Sequence, residues 1–259
     1  MEIEEAVANM RARGEEAVLV SISHLKASAP TEVQTKMLVK ADGSTIGSIG
    51  GGEVEEKVVK EAMEVIQAGK PRRTHVGVSS EEEKRRGMQP GGKLKFFFEP
   101  VLSLPTIFIF GGGNIPFCVA KIAKLLDFKI TVIDNKAEFV NRQRFPEADT
   151  ILVKDFSTAF PKLSIDELSY IVIATRSHQY DEAVLEMALK TEVKYIGVVA
   201  SKAEKQRVFS SLSTKGVSQE ILDRVHAPIG LDISAKTQPE IALSIMAEIV
   251  NTMRSPESY

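Results

Sequence analysis

The sequence is poor in cysteine, with Cys118 the only one among 259 residues. A single thiol can build neither an intrachain disulfide framework nor a cysteine-rich metal site. Such a composition suits a reducing compartment, so we expect a cytoplasmic protein. His178 and Asp181 stand three residues apart, but two ligands do not make a metal site, and we expect none.

The sequence also lacks a long apolar run and a strong excess of either charge. No stretch approaches the roughly 20 apolar residues that cross a bilayer. The acidic segment 1–14 is typical of a helix and not of a signal peptide. The formal net charge is −2, so no broad basic field would draw nucleic acid or an anionic membrane. We therefore expect neither as a partner.

Several catalytic signatures are missing as well. The sequence shows no group of nucleophile, base and orienting residue, no Walker A lysine and no zinc-binding spacing. Kinase, hydrolase and metalloprotease functions therefore gain no support. A protein that binds a cofactor is favoured over a catalyst.

The first 104 residues predict a small α+β domain. A helix covers the first turns of the chain, a buried strand follows at 17–23, and Asp42-Gly43 marks a hairpin. A run of three glycines at 50–52 then leads into a second helix. Two more strands complete the domain, separated by a long polar loop at 79–92. Prolines on both sides of "VLSL" indicate a domain boundary near residue 104.

Residues 105–259 alternate between strand and helix patterns. Short runs rich in valine and isoleucine predict strands buried on both faces: "TIFIFG", "KITVID", "TILVKD", "YIVIAT" and "KYIGVVA". Helices are predicted between them, at 116–126, 166–169, 179–189 and 202–212, and a final one at 239–254. This alternation predicts an α/β fold, a Rossmann-like parallel sheet with helices on both faces. The apolar stripe of the last helix could pack on the core or join two copies as a homodimer.

The segment "GGGNIP" follows the first of these strands. Gly111 would make the tight turn, Gly112 and Asn114 complete the loop, and Gly113 would let a pyrophosphate approach the backbone. Asp134 ends the next strand, where an acid would hold ribose hydroxyls. The departure is Pro116 at the sixth position of the fingerprint, where glycine or alanine is usual. Nucleotide-like binding is favoured, and a simple βα turn is the alternative.

Other residues are predicted to lie at the same edge of the sheet. Thr175, Arg176 and His178 follow the fourth strand, and Ser201 follows the fifth. Arg176 could pair with a phosphate through two parallel hydrogen bonds. The alternative is that "SHQYD" only caps and starts a helix.

The sequence resembles the XdhC and CoxI family, the xanthine dehydrogenase accessory proteins. The motifs that carry the resemblance run through nearly the whole chain: "TKMLVKADGSTIGSIGGGEVE", "GGGN", "VID", "RFPEAD", "ATRSHQYD", "YIGVVASK" and "HAPIGLDI". The resemblance implies a family-specific domain at 1–104 and a Rossmann-like domain at 105–259. It also implies that the protein binds molybdenum cofactor (molybdopterin), assists its sulfuration with a cysteine desulfurase and inserts it into a molybdenum hydroxylase apoenzyme. It favours a second binding region at Gly50, Gly51, Gly52 and Glu53, although acids in the first helical turn also stabilise a helix without any ligand.

The chain departs from the family pattern at several positions. Glu53 and Pro90 stand where members often carry cysteines, so a sulfur relay through those thiols is impossible here. Asn114 replaces the usual histidine of the loop, and Pro116 replaces a small residue. Cofactor transfer without a protein thiolate remains open. So do an NAD(P)-dependent oxidoreductase, in which Asp134 would favour NAD, and a dinucleotide-sensing module.

Overall fold

The computed structural model describes residues 3–24, 36–77 and 93–254. The chain forms two compact units, Met1–Ser103 and Leu104–Tyr259. The predicted polar loop at 79–92, with Pro90, lies outside the described residues. Within the described ranges, no helix is long and apolar enough to cross a membrane.

In its described residues, the N-terminal unit is an antiparallel sheet covered by two helices. The sheet order is β3-β2-β1-β5-β4, and the hairpin predicted at Asp42-Gly43 joins β2 to β3. Alternate residues of β1 point to opposite faces: Val18 and Val20 pack against α2, whereas Ala17 packs against α1. The elements are α1 (Ile3–Arg13), β1 (Ala17–His24), β2 (Lys36–Lys40), β3 (Thr45–Gly47), α2 (Gly52–Ala68), β4 (Arg72–Gly77) and β5 (Lys93–Val101).

The C-terminal unit is built on six parallel strands in the order β11-β10-β9-β6-β7-β8. Counted from the first strand of the unit, this is the 3-2-1-4-5-6 order of doubly wound dinucleotide-binding folds. The strands are β6 (Thr106–Phe110), β7 (Lys129–Asp134), β8 (Thr150–Val153), β9 (Ser169–Ile173), β10 (Tyr195–Val198) and β11 (Val225–His226). The predicted fold class is confirmed.

Helices cover both faces of this sheet because the strands are apolar on both faces. In β6, Ile107 and Ile109 belong to the core shared with α3 and α8. Phe108 and Phe110 belong to the core shared with the remaining helices. The helices are α3 (Asn114–Leu125), α4 (Phe156–Ala159) followed by a 3-10 turn (Phe160–Lys162), α5 (His178–Ala188), α6 (Lys202–Thr214), α7 (Gln219–Leu222) and α8 (Gln238–Arg254).

Two local predictions were wrong. Residues 166–169 form a turn leading into β9 and not a helix, since the Asp166 carboxylate accepts hydrogen bonds from the Leu168 N–H and the Ser169 hydroxyl. The helical connection lies earlier, at 156–162. The sequence analysis also predicted five strands for this unit, whereas His226, in the motif "HAPIGLDI", pairs with Gly197 and adds a sixth at the edge of the sheet.

The apolar face of α8 packs against the core of the C-terminal unit. Ala242, Ile245 and Ile249 are fully buried against the same core as α3. Leu243, on the other side of the helix, is 53% exposed. The stripe is thus explained by packing, and the homodimer stays a prediction.

Candidate functional site

The β6–α3 loop lies at the carboxyl end of the sheet, and its first two glycines are required by packing. Gly111 has a φ of 116°, and a Cβ there would lie 2.1 Å from the Ala174 carbonyl oxygen. A Cβ on Gly112 would lie 2.5 Å from the Phe139 carbonyl oxygen. The segments that follow β9 and β7 therefore close against this loop from both sides.

Gly113 differs from its two neighbours. Its φ is −72°, which any residue can adopt, and a Cβ there would meet only the Pro116 ring, at 3.9 Å. Pro116 itself is buried in the first turn of α3, where its missing N–H breaks no intrahelical bond. No part of the described chain requires glycine at position 113, and the space in front of it is open.

The first turn of α3 is also uncapped. Gly113 is its N-cap and supplies no side-chain hydrogen bond. The N–H groups of Gly113, Asn114 and Ile115 find no acceptor among the described residues. Such first-turn amides carry the positive end of the helix dipole and bind anions. By contrast, α4, α5, α6 and α7 are capped by their own side chains, Asp155, Ser177, Ser201 and Ser218.

Asp134 ends β7 as predicted, but its carboxylate points into the protein. The residue is fully buried. Oδ2 accepts the Gly112 N–H at 2.9 Å, and Oδ1 accepts the Lys136 N–H at 3.0 Å and Arg176 Nη2 at 3.1 Å. Oδ2 thus fastens the glycine loop to the end of β7, and Oδ1 fastens Arg176 there.

Arg176 crosses the carboxyl end of β6. It follows β9, yet it reaches Asp134 and donates to Asn135 Oδ1 at 2.6 Å, both on the opposite side of β6. Its guanidinium also lies 4.3 Å from the centre of the Phe139 ring. Only Nη2 makes hydrogen bonds within the described chain, so Nε and Nη1 remain available as donors.

Arg144 borders the loop from the segment after β7. Its Nε donates to the Gly112 carbonyl at 3.1 Å, and its Nη2 donates to Asn114 Oδ1 at 2.9 Å. No acidic side chain of the described ranges pairs with it. Arg144 was not among the site residues predicted from the sequence. The one feature that could have indicated it is that it begins the motif "RFPEAD".

Two guanidinium groups and a helix N-terminus therefore surround one loop. The first turn of α3 contains no acid, and the carboxylate that contacts the loop, Asp134, already bonds to Gly112, Lys136 and Arg176. This arrangement leaves free donors and the positive end of a helix dipole at an open backbone, which favours an anion such as phosphate.

The remaining predicted residues at this edge of the sheet make hydrogen bonds and an ion pair within the protein. The Thr175 N–H and hydroxyl both donate to Asp181 Oδ1, at 3.0 and 2.6 Å. His178 Nε2 lies 2.8 Å from Glu204 Oε1, and Glu204 forms a capping box with Ser201. Burial raises the pKa of Asp181, although the bonds from Thr175 oppose the shift. Thr175, His178 and Ser201 thus join the loops after β9 and β10.

The second predicted region belongs to the N-terminal unit. Gly50, Gly51 and Gly52 have φ values of 116°, 72° and 68°. Here the acids of the first helical turn are engaged locally, since Glu55 Oε1 accepts the Ile49 N–H at 3.3 Å and Glu53 pairs with Lys57 at 2.5 Å. Their negative charge opposes an anion at this helix N-terminus.

The strand order and the glycine turn after β6 define a Rossmann-type domain as the class of the C-terminal unit. Residues 107–249 match the XdhC Rossmann domain, and residues 10–77 match the XdhC and CoxI family. The chain belongs to the XdhC and CoxI family.

Three curated proteins are related to this chain. It is 35% identical over 216 residues to the uncharacterized protein YqeB of Escherichia coli, covering 83% of this chain and 40% of YqeB. It is 27% identical over 165 residues to a probable xanthine dehydrogenase subunit of Bacillus subtilis, covering 61% of this chain and 46% of that protein. It is 22% identical over 275 residues to the molybdenum cofactor insertion chaperone PaoD of Escherichia coli, covering 92% and 84%. The chain thus spans less than half the length of the first two relatives.

A solved structure shares the fold. The crystal structure of a Bacillus halodurans protein named a xanthine dehydrogenase superposes with a TM-score of 0.56 at 21% identity. The match covers 100% of this chain and 99% of that one. At this identity the likeness establishes the fold alone.

Proposed function

We propose that this protein binds molybdenum cofactor at the β6–α3 loop and acts as a maturation factor for a molybdenum hydroxylase of the xanthine dehydrogenase type. Two relatives support this, one named a molybdenum cofactor insertion chaperone and the other a xanthine dehydrogenase subunit. The observation that carries the proposal is Gly113. It is a glycine with ordinary backbone angles and open space in front of it, beside N–H groups without acceptors.

The residues present suit the phosphate end of the cofactor. The N–H groups of the first turn of α3 and the guanidinium groups of Arg176 and Arg144 would hold that phosphate. The cofactor itself supplies the pterin and the molybdenum centre. The chain's own contribution is to bind the anion, to orient it at the carboxyl edge of the sheet and to release it to the partner apoenzyme.

The chain contributes to insertion more readily than to sulfuration. Its only cysteine, Cys118, packs partly buried against the α3 core. We therefore propose that any sulfuration of the bound cofactor is the work of a cysteine desulfurase and uses no thiol of this chain.

Gly113→Ala tests the binding site. The new methyl group would enter the open space and block close approach of a phosphate, while the fold should tolerate it. The full chain would be mixed with molybdenum cofactor and separated from free ligand, and the retained pterin would be measured by its fluorescence after oxidation. We expect micromolar or tighter binding by the wild type and at least about a tenfold loss in Gly113→Ala.

Gly77→Ala is the matched control. Gly77 also lies outside the left-handed region, and a Cβ added to it would have no atom within 4 Å, but it is in the N-terminal sheet at the end of β4. Gly77→Ala should retain the pterin like the wild type. No retention by the wild type at micromolar concentration would overturn the proposed function, and equal retention by Gly113→Ala would overturn the assignment to this loop.

Delivery is tested separately. The loaded chain would be mixed with a molybdenum hydroxylase apoenzyme, the two separated by size, and the molybdenum content of the apoenzyme measured. Transfer that exceeds that from free cofactor supports the maturation role. Transfer no greater than that from free cofactor contradicts it.

A further inference from the structure

The carboxylate of Asp134, which was expected to bind a ribose, is buried and hydrogen-bonded inside the protein. Asp134 has no exposed surface, and three donors from three different segments share its two oxygens. Because the side chain is fully buried, ribose hydroxyls could reach its oxygens only if the Gly112 N–H or Arg176 moved away. Moving either away would uncover a buried charge, which is costly.

The two guanidinium groups beside the loop keep free hydrogen-bond donors. Arg176 is 29% exposed at its side chain, and its Nε and Nη1 make no bond to the described chain. Arg144 likewise uses only Nε and Nη2. These guanidinium groups match a phosphate with two negative charges better than they match a diol, which needs an acceptor.

We propose that the site selects its ligand by a terminal phosphate and not by a ribose, with Arg176 as the specificity-determining residue. This inference rests on the proposed function and narrows it. The ligand class is a pterin phosphomonoester, and NAD-type dinucleotides, which present ribose diols at the end of β7, are disfavoured. Asp134 is then a positioning residue that holds the glycine loop and Arg176 in place.

The experiment compares ligands that differ in one group. The probes are the oxidised, fluorescent derivative of molybdopterin with its phosphate, the same compound after phosphatase treatment, and NADH. Each is titrated into the full wild-type chain and followed by fluorescence. We expect removal of the phosphate to weaken binding by about tenfold or more, because charge-assisted hydrogen bonds are lost. NADH should bind more weakly than the phosphorylated pterin.

Variants identify the phosphate contact. Arg176→Gln should weaken binding of the phosphorylated derivative by about tenfold and change binding of the dephosphorylated one by less than about twofold. Arg142→Gln is the matched control, since Arg142 lies two residues from Arg144 but donates to the carbonyls of Ala148 and Asp149. It should bind both derivatives like the wild type. Circular dichroism would confirm that each variant is folded.

The outcomes separate the two proposals. If the wild type binds both pterin derivatives equally, the phosphate inference is wrong and the proposed function stands. If NADH binds more tightly than the phosphorylated pterin and Asp134→Asn abolishes its binding, the ribose role of Asp134 is restored and the inference is overturned. If neither derivative binds, the proposed function fails and the inference falls with it. Should Arg176→Gln not fold, the wild-type comparison of the two derivatives still decides.

Discussion

The two glycine runs of this chain have the same sequence plan and opposite surroundings. Both place three glycines at a junction between a strand and a helix that has no side-chain cap. At 50–52 every glycine has a positive φ and the helix that follows begins with acids. At 111–113 only Gly111 has a positive φ, no acid opens the helix, and Arg144 and Arg176 border the loop. A glycine run alone therefore does not specify an anion site, because the charges around the helix N-terminus decide its use.

The largest expected effect comes from Gly111. Gly111→Ala would place a methyl group 2.1 Å from a backbone carbonyl oxygen in a conformation that disfavours side chains. We expect a loss of about 3 kcal/mol or more in the free energy of unfolding. Urea denaturation followed by circular dichroism would measure it. A loss below about 1 kcal/mol would show that the loop is less tightly enclosed than the structure indicates.

A smaller effect is expected at Gly51, the middle glycine of the first run. Gly51 has φ 72° and ψ −179°, a region that is nearly exclusive to glycine, but a Cβ there would approach only Glu55, at 3.7 Å. Gly51→Ala should therefore cost about 1–3 kcal/mol from backbone strain without a clash. The same denaturation experiment applies, and retention of the pterin should not change. Loss of pterin binding in a folded Gly51→Ala would instead give the first run a direct part in the site.

The effect of Gly113→Ala on stability should be smaller still. Glycine is preferred to alanine at an N-cap, so we expect a loss of about 0.5–1 kcal/mol in the free energy of unfolding. Together with the loss of pterin retention, this would separate binding from folding at one position. A large destabilisation would show that the open space at Gly113 is needed by the protein itself.

The smallest predicted effect concerns pH. Burial raises the pKa of Asp181, beside the 111–113 loop, above its ordinary value of 3.8. Between pH 3.8 and the raised pKa, Asp181 is therefore protonated more often in the folded protein than in the unfolded chain. Folding must hold this extra proton, so the free energy of unfolding falls as the pH rises across that window. Asp181→Asn keeps an oxygen that accepts from Thr175 and removes the loss. Its stability should therefore rise relative to the wild type as the pH rises through this window.

Glu53, the exposed acid that follows the glycines at 50–52, supplies the control for the pH experiment. Glu53 is exposed and pairs with Lys57 at the surface, so Glu53→Gln should follow the wild-type pH curve within a few tenths of a kcal/mol. Thermal denaturation at a series of pH values would compare the three proteins. If Asp181→Asn and the wild type ran parallel, the burial of Asp181 would have no energetic consequence.

The sequence was sufficient for the fold of the C-terminal unit because its strands are continuous apolar runs with clear breaks. It failed at residues 166–169, where the Asp166 side chain bonds to its own backbone two residues on and makes a turn in place of a helix. The two-residue strand β11 was missed because so short a pairing leaves no periodic signal.

The candidate site was predictable in position and not in detail. The glycine loop and the strand-end residues follow from topology alone, since parallel strands bring their carboxyl ends together. The direction in which a side chain points does not follow from topology. The inward carboxylate of Asp134 depends on Gly112 and Arg176, and Arg144 reaches the loop from 30 residues beyond Asn114. Such long-range contacts have no local pattern.

Because the space in front of Gly113 is open, this position can change without disturbing the fold of the domain. At most glycines of tight turns no other residue is tolerated, because the chain cannot adopt the turn without glycine. Selection for stability and selection for ligand binding then act on the same residue together. At Gly113 the two pressures act separately. If the cofactor binds as proposed, a single nucleotide change there would abolish cofactor binding and leave a stable scaffold on which any partner contacts continue to evolve. Residue 113 is therefore the position to inspect first when sorting family members into those that carry cofactor and those that only assemble with other proteins.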